Sequence, residues 1–273
     1  MHVGQSRRVD VMPLPPPSPQ GTALITGASS GIGAAMARAL ASRGYGTTLV
    51  ARDGDRLCRI ADELREHGAR VETIEADLTS RTDRAELEAR VRRNGLAVDI
   101  LINGAGAATR GSIAECDFDT ELGHMELNMI SVVDLCRKFV NGMIALNSGA
   151  ILNIASTAAF KPMDGQGTYA ASKAFVLSFT RTLRLELRET PVTVTALCPG
   201  PVPTDFDRRA GFTAEEIAAV PAIMWKSADD VAAVAVDALE RGAELCIPGR
   251  ANVADATMSL LKAKQQASQA VSR

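Results

Sequence analysis

From residue 22 onward, short apolar runs alternate with longer segments whose apolar residues recur at helical spacing. The runs fall at 22–26, 47–50, 71–74, 98–102, 151–155 and 192–197, with a short last one at 244–247. Helices are expected between them at 31–43, 55–67, 81–93, about 118–146 and about 168–188. A further helix opens at Ser227, an N-cap with Asp230 three residues on, and continues through Leu239. Strand alternating with helix at this spacing requires crossover connections and therefore a mainly parallel sheet. Such crossovers are right-handed, which puts helices on both faces. The expected fold is α/β: one doubly wound Rossmann-type domain with a mainly parallel seven-stranded sheet. At 273 residues the chain has room for a second core, but the alternation is unbroken and argues for one domain.

The ends read differently. Pro13, Pro15, Pro16, Pro17 and Pro19 lie within seven positions, so residues 1–20 are expected as a solvated, partly polyproline extension. Its Pro13-Leu14-Pro15-Pro16 stretch fits a Pro-x-x-Pro ligand, a weak pattern. The folded domain is expected over 21–250. Residues 251–273 form a helical tail, with Val253, Met258, Leu260 and Leu261 on an amphipathic stretch.

Bulk properties exclude several classes. Net charge is −2 and aromatic content 4%, which argues against nucleic acid and anionic membrane surfaces. No apolar run approaches a membrane span, so stable membrane insertion is not expected. Cys58, Cys116, Cys136, Cys198 and Cys246 are scattered without a Cys-x-x-Cys pair, as in a reducing compartment. His2, His67 and His124 are too dispersed for a metal site. The amino terminus lacks the apolar stretch of a signal peptide, and a cytoplasmic location is the default expectation.

Ligands of such folds bind beyond the carboxyl ends of the strands, and the chemistry-bearing motifs fall there. After the first strand comes Thr26-Gly27-Ala28-Ser29-Ser30-Gly31-Ile32-Gly33, followed by an alanine-rich helix. Glycines let backbone approach a pyrophosphate, and the helix start offers free N–H groups to it. A dinucleotide site is expected here. The second strand ends Val50-Ala51-Arg52-Asp53. Ala51 cannot grip a ribose diol, whereas Arg52 can pair with a 2′-phosphate, so NADP(H) is expected over NAD(H). Asp53 partly offsets that positive field.

Tyr169 and Lys173 stand four apart on an expected helix and share a face, with Ser156 thirteen residues upstream of the tyrosine. A free phenol, with a pKa near ~10, is a poor match to neutral pH. A cation about 5 Å away at an effective dielectric near ~20 contributes roughly 3 kcal/mol, or some two pK units, towards the phenolate. A phenol acidified in this way is a proton donor for a carbonyl oxygen. No base is evident beside Ser156, so it reads as an oxygen positioner and not a nucleophile.

Together with Ala76-Asp77-Leu78, Asn103-Gly104-Ala105-Gly106, Asn128 and Pro199-Gly200 with Thr204, these motifs resemble the short-chain dehydrogenase/reductase family over about residues 21–248. The resemblance implies that Tyr169 exchanges a proton with the substrate oxygen and Ser156 hydrogen-bonds that oxygen. It implies that Lys173 binds the nicotinamide ribose and depresses the tyrosine pKa, and that Asn128 holds a water linking the lysine to solvent. Asp77 and Leu78 would meet adenine. Pro199, Gly200, Val202 and Thr204 would flank the nicotinamide, and Asn103, Ala105 and Gly106 would also contact the cofactor. One position departs from the pattern: where the family usually has a second asparagine, this chain has Gly104, which removes a side-chain support of the central strand.

The substrate segment is expected at 205–226, rich in Phe206, Phe212, Ile217, Val220, Ile223, Met224 and Trp225, with Gly211 as a hinge. It reads as a lid over an apolar ketone, aldehyde or matching alcohol. Arg208 and Arg209 are candidates for an anionic group, though such pairs are more often solvated. The expected activity is NADP(H)-dependent carbonyl–alcohol interconversion, in a homodimer or homotetramer as the resemblance implies. Two other readings stay open: a non-catalytic dinucleotide sensor on the same fold, and a nucleotide-sugar epimerase or dehydratase.

Overall fold

The computed structural model describes residues 14–271. Its centre is a seven-stranded, wholly parallel sheet in the order β3-β2-β1-β4-β5-β6-β7. The strands are β1 Gly21–Thr26, β2 Thr47–Ala51, β3 Val71–Glu75, β4 Ala97–Asn103, β5 Gly149–Ile154, β6 Val192–Leu197 and β7 Leu245–Cys246. The helices are α1 Gly31–Ala41, α2 Gly54–Glu66, α3 Arg81–Arg93, α4 Phe118–Met125, α5 Ser131–Ala145, α6 Gly167–Glu186, α7 Asp205–Arg209, α8 Ala214–Ala218, α9 Ala228–Glu240 and α10 Arg250–Val271.

β1 is buried along its whole length, which is why it reads as a continuous run with no polar face. Its side chains still alternate. Ala23 and Ile25 join a core with Met36 and Leu40 of α1 and Val231 and Leu239 of α9. Leu24 points the other way, towards Leu135 of α5 and Val176 and Leu183 of α6. The two cores, one on each side of the sheet, are the physical content of double winding.

Three expectations change. The helix expected over 118–146 is interrupted by a π-helical turn, Glu126–Ile130, between α4 and α5. The last strand contracts to two residues. Of the extension expected to be solvated, residues 1–13 lie outside the described residues. Residues 14–20 run along the body, with Leu14 in the first core and Tyr45 Oη donating to the Pro15 carbonyl at 2.9 Å. Only residues 16–20 of this stretch are exposed.

α3 buries Leu87 and Val91, and with them Arg84, which is 3% exposed. Its guanidinium donates to Asp134 Oδ2 at 2.9 Å and to the Leu78 carbonyl at 2.7 Å, tying the turn after β3 to α5. Truncating Arg84 removes these buried donors and leaves the Leu78 carbonyl without its partner, while Asp134 keeps only Lys138 at 3.7 Å. Arg84→Ala is expected to cost about 3 kcal/mol. Urea unfolding should show this as a lower midpoint at unchanged slope.

Candidate active site

A cleft of about 1010 Å³ opens beyond the carboxyl ends of the strands. The turn from β1 to α1 forms one end of it. Gly27 and Gly31 hold φ of +69° and +55°, a region that side chains with a Cβ rarely adopt. A Cβ on Gly33 would fall 2.3 Å from the Gly27 carbonyl oxygen, so the turn closes only with hydrogen there. The N-termini of α2, α3, α4, α7, α8 and α9 are each capped by a side chain. Those of α1 and α6 are not; at α1, Ser30 makes no side-chain cap and lines the cleft. The first N–H groups of α1 therefore lack an intrahelical or side-chain partner at the cleft wall.

Arg52 lines the cleft at the end of β2 and makes no ion pair among the described residues. Asp53, expected to weaken its field, is otherwise engaged. It caps α2 through the Arg56 N–H at 2.9 Å and approaches the Arg56 guanidinium at 3.3 Å.

The other end of the cleft is built on β5 and α6. Ser156 follows β5 and caps a 3₁₀ turn, accepting from Ala158 N at 3.1 Å. Its hydroxyl lines the cleft together with the Tyr169 phenol. One turn along α6, Lys173 Nζ lies 5.8 Å from the Tyr169 ring centre and donates to the Ile154 carbonyl at 2.9 Å. Asn128 sits in the π-helical turn, a distortion frequent at functional sites. It is 1% exposed; its Oδ1 accepts from Ala107 N at 2.9 Å, and its Nδ2 donates to Ala107 O at 2.8 Å and Ser172 Oγ at 3.2 Å. A Cβ on Gly106 would meet Asn128 Oδ1 at 3.2 Å and Lys173 Nζ at 3.5 Å, so this glycine lets the backbone pass between the two.

Electrostatically the site departs from the pairwise expectation. Burial pushes the Tyr169 phenol up to about 12; the nearby Ser156 hydroxyl pulls it back only in part, and the charge of Asp207 adds to the rise. Burial pulls Lys173 down to about 8. The neighbouring ammonium does not acidify the phenol here, because desolvation dominates at both groups.

The profile of the short chain dehydrogenase family matches residues 21–214. This chain belongs to that family. A protein of Streptomyces violaceoruber, named as a ketoacyl reductase of the granaticin polyketide synthase, is 42% identical to this dehydrogenase over 190 residues, 68% of this chain and 70% of its own. A short-chain dehydrogenase from Sphingobium yanoikuyae, solved in complex with NADPH, matches with a TM-score of 0.80 at 35% identity, over 91% of this chain and 95% of that one. A bulky-bulky ketone specific alcohol dehydrogenase from Comamonas testosteroni matches with a TM-score of 0.75 at 31% identity, over 95% and 94%.

Not every expected contact of the dehydrogenase faces its cleft. Asn103 is turned away: its Nδ2 donates to Asn153 Oδ1 at 2.8 Å, in a buried chain that continues to Thr180. Asp77 spends Oδ1 on Thr79, accepting from its N–H at 3.0 Å and its hydroxyl at 2.9 Å, while Ala76 and Leu78 line the cleft. Asn128 lies behind the wall. The remaining expected catalytic and cofactor residues line the cleft, whereas Ile223 and Arg208 of the substrate segment do not, Ile223 being 72% exposed. Gly104 is explained by space: a Cβ there would fall 2.7 Å from the Thr26 carbonyl oxygen. The support that an asparagine would supply comes from Thr26 Oγ1, which accepts from Gly104 N at 3.0 Å and Ala105 N at 3.1 Å.

Ser172 and Asp207 join the site without having been singled out by residue type: Ser172 Oγ accepts from Asn128, and Asp207 lines the cleft. Ser172 sits inside the Tyr-x-x-x-Lys stretch, and its signal was that position; Asp207 had none. The substrate segment folds as α7, α8 and a 3₁₀ turn, Ala222–Met224. Gly211, at φ +91°, joins α7 to α8. Arg110 anchors this lid, pairing with Glu216 at 2.9 Å and standing 5.8 Å over the Phe212 ring. Arg208 pairs with Asp205, and Arg209 lies 3.8 Å from the same carboxylate. Among the described residues, no helix is long and apolar enough to cross a membrane.

Proposed function

We propose that this oxidoreductase interconverts a largely hydrophobic ketone or aldehyde and its alcohol with NADP(H), and that Tyr169 exchanges the proton. One observation carries the reading: a single cleft joins the glycine turn and uncapped α1 at one end to Tyr169, Ser156 and Lys173 at the other. The residues fit a dinucleotide. The α1 N-terminus would hold the pyrophosphate, Arg52 the 2′-phosphate, and Leu78 and Ala76 the adenine. Lys173 would hold the nicotinamide ribose, and Pro199, Gly200, Val202 and Thr204 the ring. When bound, the nicotinamide supplies or accepts the hydride and, when oxidised, a positive charge.

The chain's own residues handle the oxygen. Ser156 Oγ donates a hydrogen bond to the substrate carbonyl and places it against Tyr169 Oη. As charge develops on that oxygen, Tyr169 donates its proton. A phenol held near 12 is a competent donor to an alkoxide but a poor base at neutral pH. Reduction, which needs the protonated phenol, is therefore not limited by its ionisation near pH 7. Alcohol oxidation is expected to rise with pH through the alkaline range while ketone reduction does not. Initial rates in both directions across pH 6 to 10 check this, those limits being about the range where such groups titrate.

Phe206, Phe212, Val220, Met224 and Trp225 line the substrate side, which supports an apolar substrate. The names of the Streptomyces and Comamonas relatives point to keto compounds as well. Exposed apolar side chains on α4 and α6, such as Phe118 at 67% and Leu185 at 63%, support a homodimer or homotetramer, which light scattering tests. The five cysteines are free, which fits a reducing cytoplasm.

The test is NADPH consumption against a ketone panel. Binding of NADPH without consumption by any ketone would overturn the reading in favour of a sensor. On the best ketone, kcat/KM should be higher with NADPH than with NADH. Arg52→Ala should lower that ratio about tenfold or more, the worth of a charge-assisted contact.

A further inference from the structure

The cleft wall carries five carboxylates: Asp53, Asp205, Asp207, Glu216 and Asp255. Four have cationic partners within the protein. Asp53 pairs with Arg56 at 3.3 Å, Asp205 with Arg56 at 3.6 Å and with Arg208, Glu216 with Arg110 at 2.9 Å, and Asp255 with Lys161 at 2.6 Å. Asp207 has neither an ion pair nor a side-chain hydrogen bond among the described residues. It stands on α7 beside Phe206, whose ring lies 5.8 Å from that of Tyr169. It is also half-buried, and burial raises its carboxyl above the ordinary range. A carboxylate at the cleft wall to which the protein supplies no donor is placed to take one from a ligand.

We propose that Asp207 determines substrate specificity: it accepts a hydrogen bond from a hydroxyl or ammonium group that the otherwise apolar substrate carries away from its reacting carbonyl. This rests on the carbonyl-reducing reading above and narrows it. Apolar lid side chains bind the body of the substrate, Ser156 and Tyr169 fix its oxygen, and Asp207 fixes a second polar point. Two fixed points on a rigid molecule set which face of the carbonyl meets the hydride donor, so Asp207 also bears on stereochemistry. A site built to pair a donor rejects the analogue lacking it more strongly than any apolar pocket rejects a methylene.

The probes are 4-ethylcyclohexanone, 4-(hydroxymethyl)cyclohexanone and 4-(aminomethyl)cyclohexanone, near-isosteric compounds that differ in one terminal group, with versions of each arm lengthened by one and two methylenes. In at least one arm-length set, wild-type kcat/KM should favour the donor-bearing ketone over its alkyl match by about tenfold or more. Asp207→Leu should reverse that order by reducing the alkyl ketone at least as well as wild type. Asp207→Asn, which keeps an acceptor but no charge, should retain the preference for the hydroxyl and lose that for the ammonium. Equal preference in every set, or an Asp207→Leu variant slowed by one factor on all ketones, would overturn the assignment. The second result would mean that the carboxylate acts on Tyr169 and not on substrate. Calorimetric binding of the corresponding cyclohexanols to NADP⁺-loaded protein separates this from the parent reading. Tighter binding of the aminomethyl alcohol than of the ethyl one, abolished by Asp207→Leu, supports Asp207 even if no ketone is reduced. Equal binding of the two alcohols counts against it even if all ketones are.

Discussion

Tyr169→Phe is expected to lower kcat for ketone reduction by roughly 10³–10⁴, the upper range for a positioned general acid, with NADPH affinity within about threefold of wild type. The substitution removes one oxygen and leaves the ring, so its packing 5.8 Å from Phe206 persists and the lid keeps its floor. The phenol lines the cleft beside Ser156, and phenylalanine at 169 has no proton to give the substrate oxygen from that position. Single-turnover kinetics with a fluorescence titration of NADPH separate the chemical step from binding. Turnover near the wild-type rate would end the proposal that Tyr169 is the acid. A loss explained wholly by weaker NADPH binding would assign it to the cofactor instead.

Lys173→Met should divide function from stability. The ammonium is buried, donates to the Ile154 carbonyl, and faces the same gap beside Gly106 as Asn128. Removing it is expected to lower kcat/KM by about 10³ or more through lost cofactor orientation. The fold should not suffer. Burial holds Lys173 at about 8 against an ordinary 10.5, so below about pH 8 the native state carries the full cost of a buried charge. That difference is roughly 3 kcal/mol, offset in part by the carbonyl left without its donor. The unfolded chain binds this proton more tightly than the native one, so the wild-type contribution improves as pH rises from about 8 to about 10.5. At pH 7 the Lys173→Met protein should melt at or above the wild-type temperature. A variant that loses activity and also melts several degrees lower would show that Lys173 is held chiefly for the fold.

Much of this architecture was legible from periodicity. β1 and β5 lie where apolar runs predict them because strands buried along their whole length must be largely apolar, whereas the edge strand β3 alternates, with Val71 and Ile74 buried and Glu75 exposed. The glycine turn was legible because positive φ and close backbone contact at Gly27, Gly31 and Gly33 leave few residue choices. The π-helical turn at Asn128 was not: one extra residue in a helical turn does not disturb the pattern of Leu127, Val132 and Leu135 enough to be seen. Arg84 was equally hidden, a buried cation within a helix that otherwise reads as solvated.

The sequence by itself determined the sheet, the end of the sheet where chemistry occurs, and the residues gathered there, because these follow from backbone constraint and local period. Only the tertiary structure decided what those residues experience. It turned Asn103 towards Asn153, spent Asp77 on Thr79, engaged Asp53 with Arg56 and left Asp207 without a cation. It also set Tyr169 near 12, where a count of neighbouring charges predicts a lower value. The reason is that desolvation and pairing depend on every group packed around a site, and most of those groups are distant along the chain.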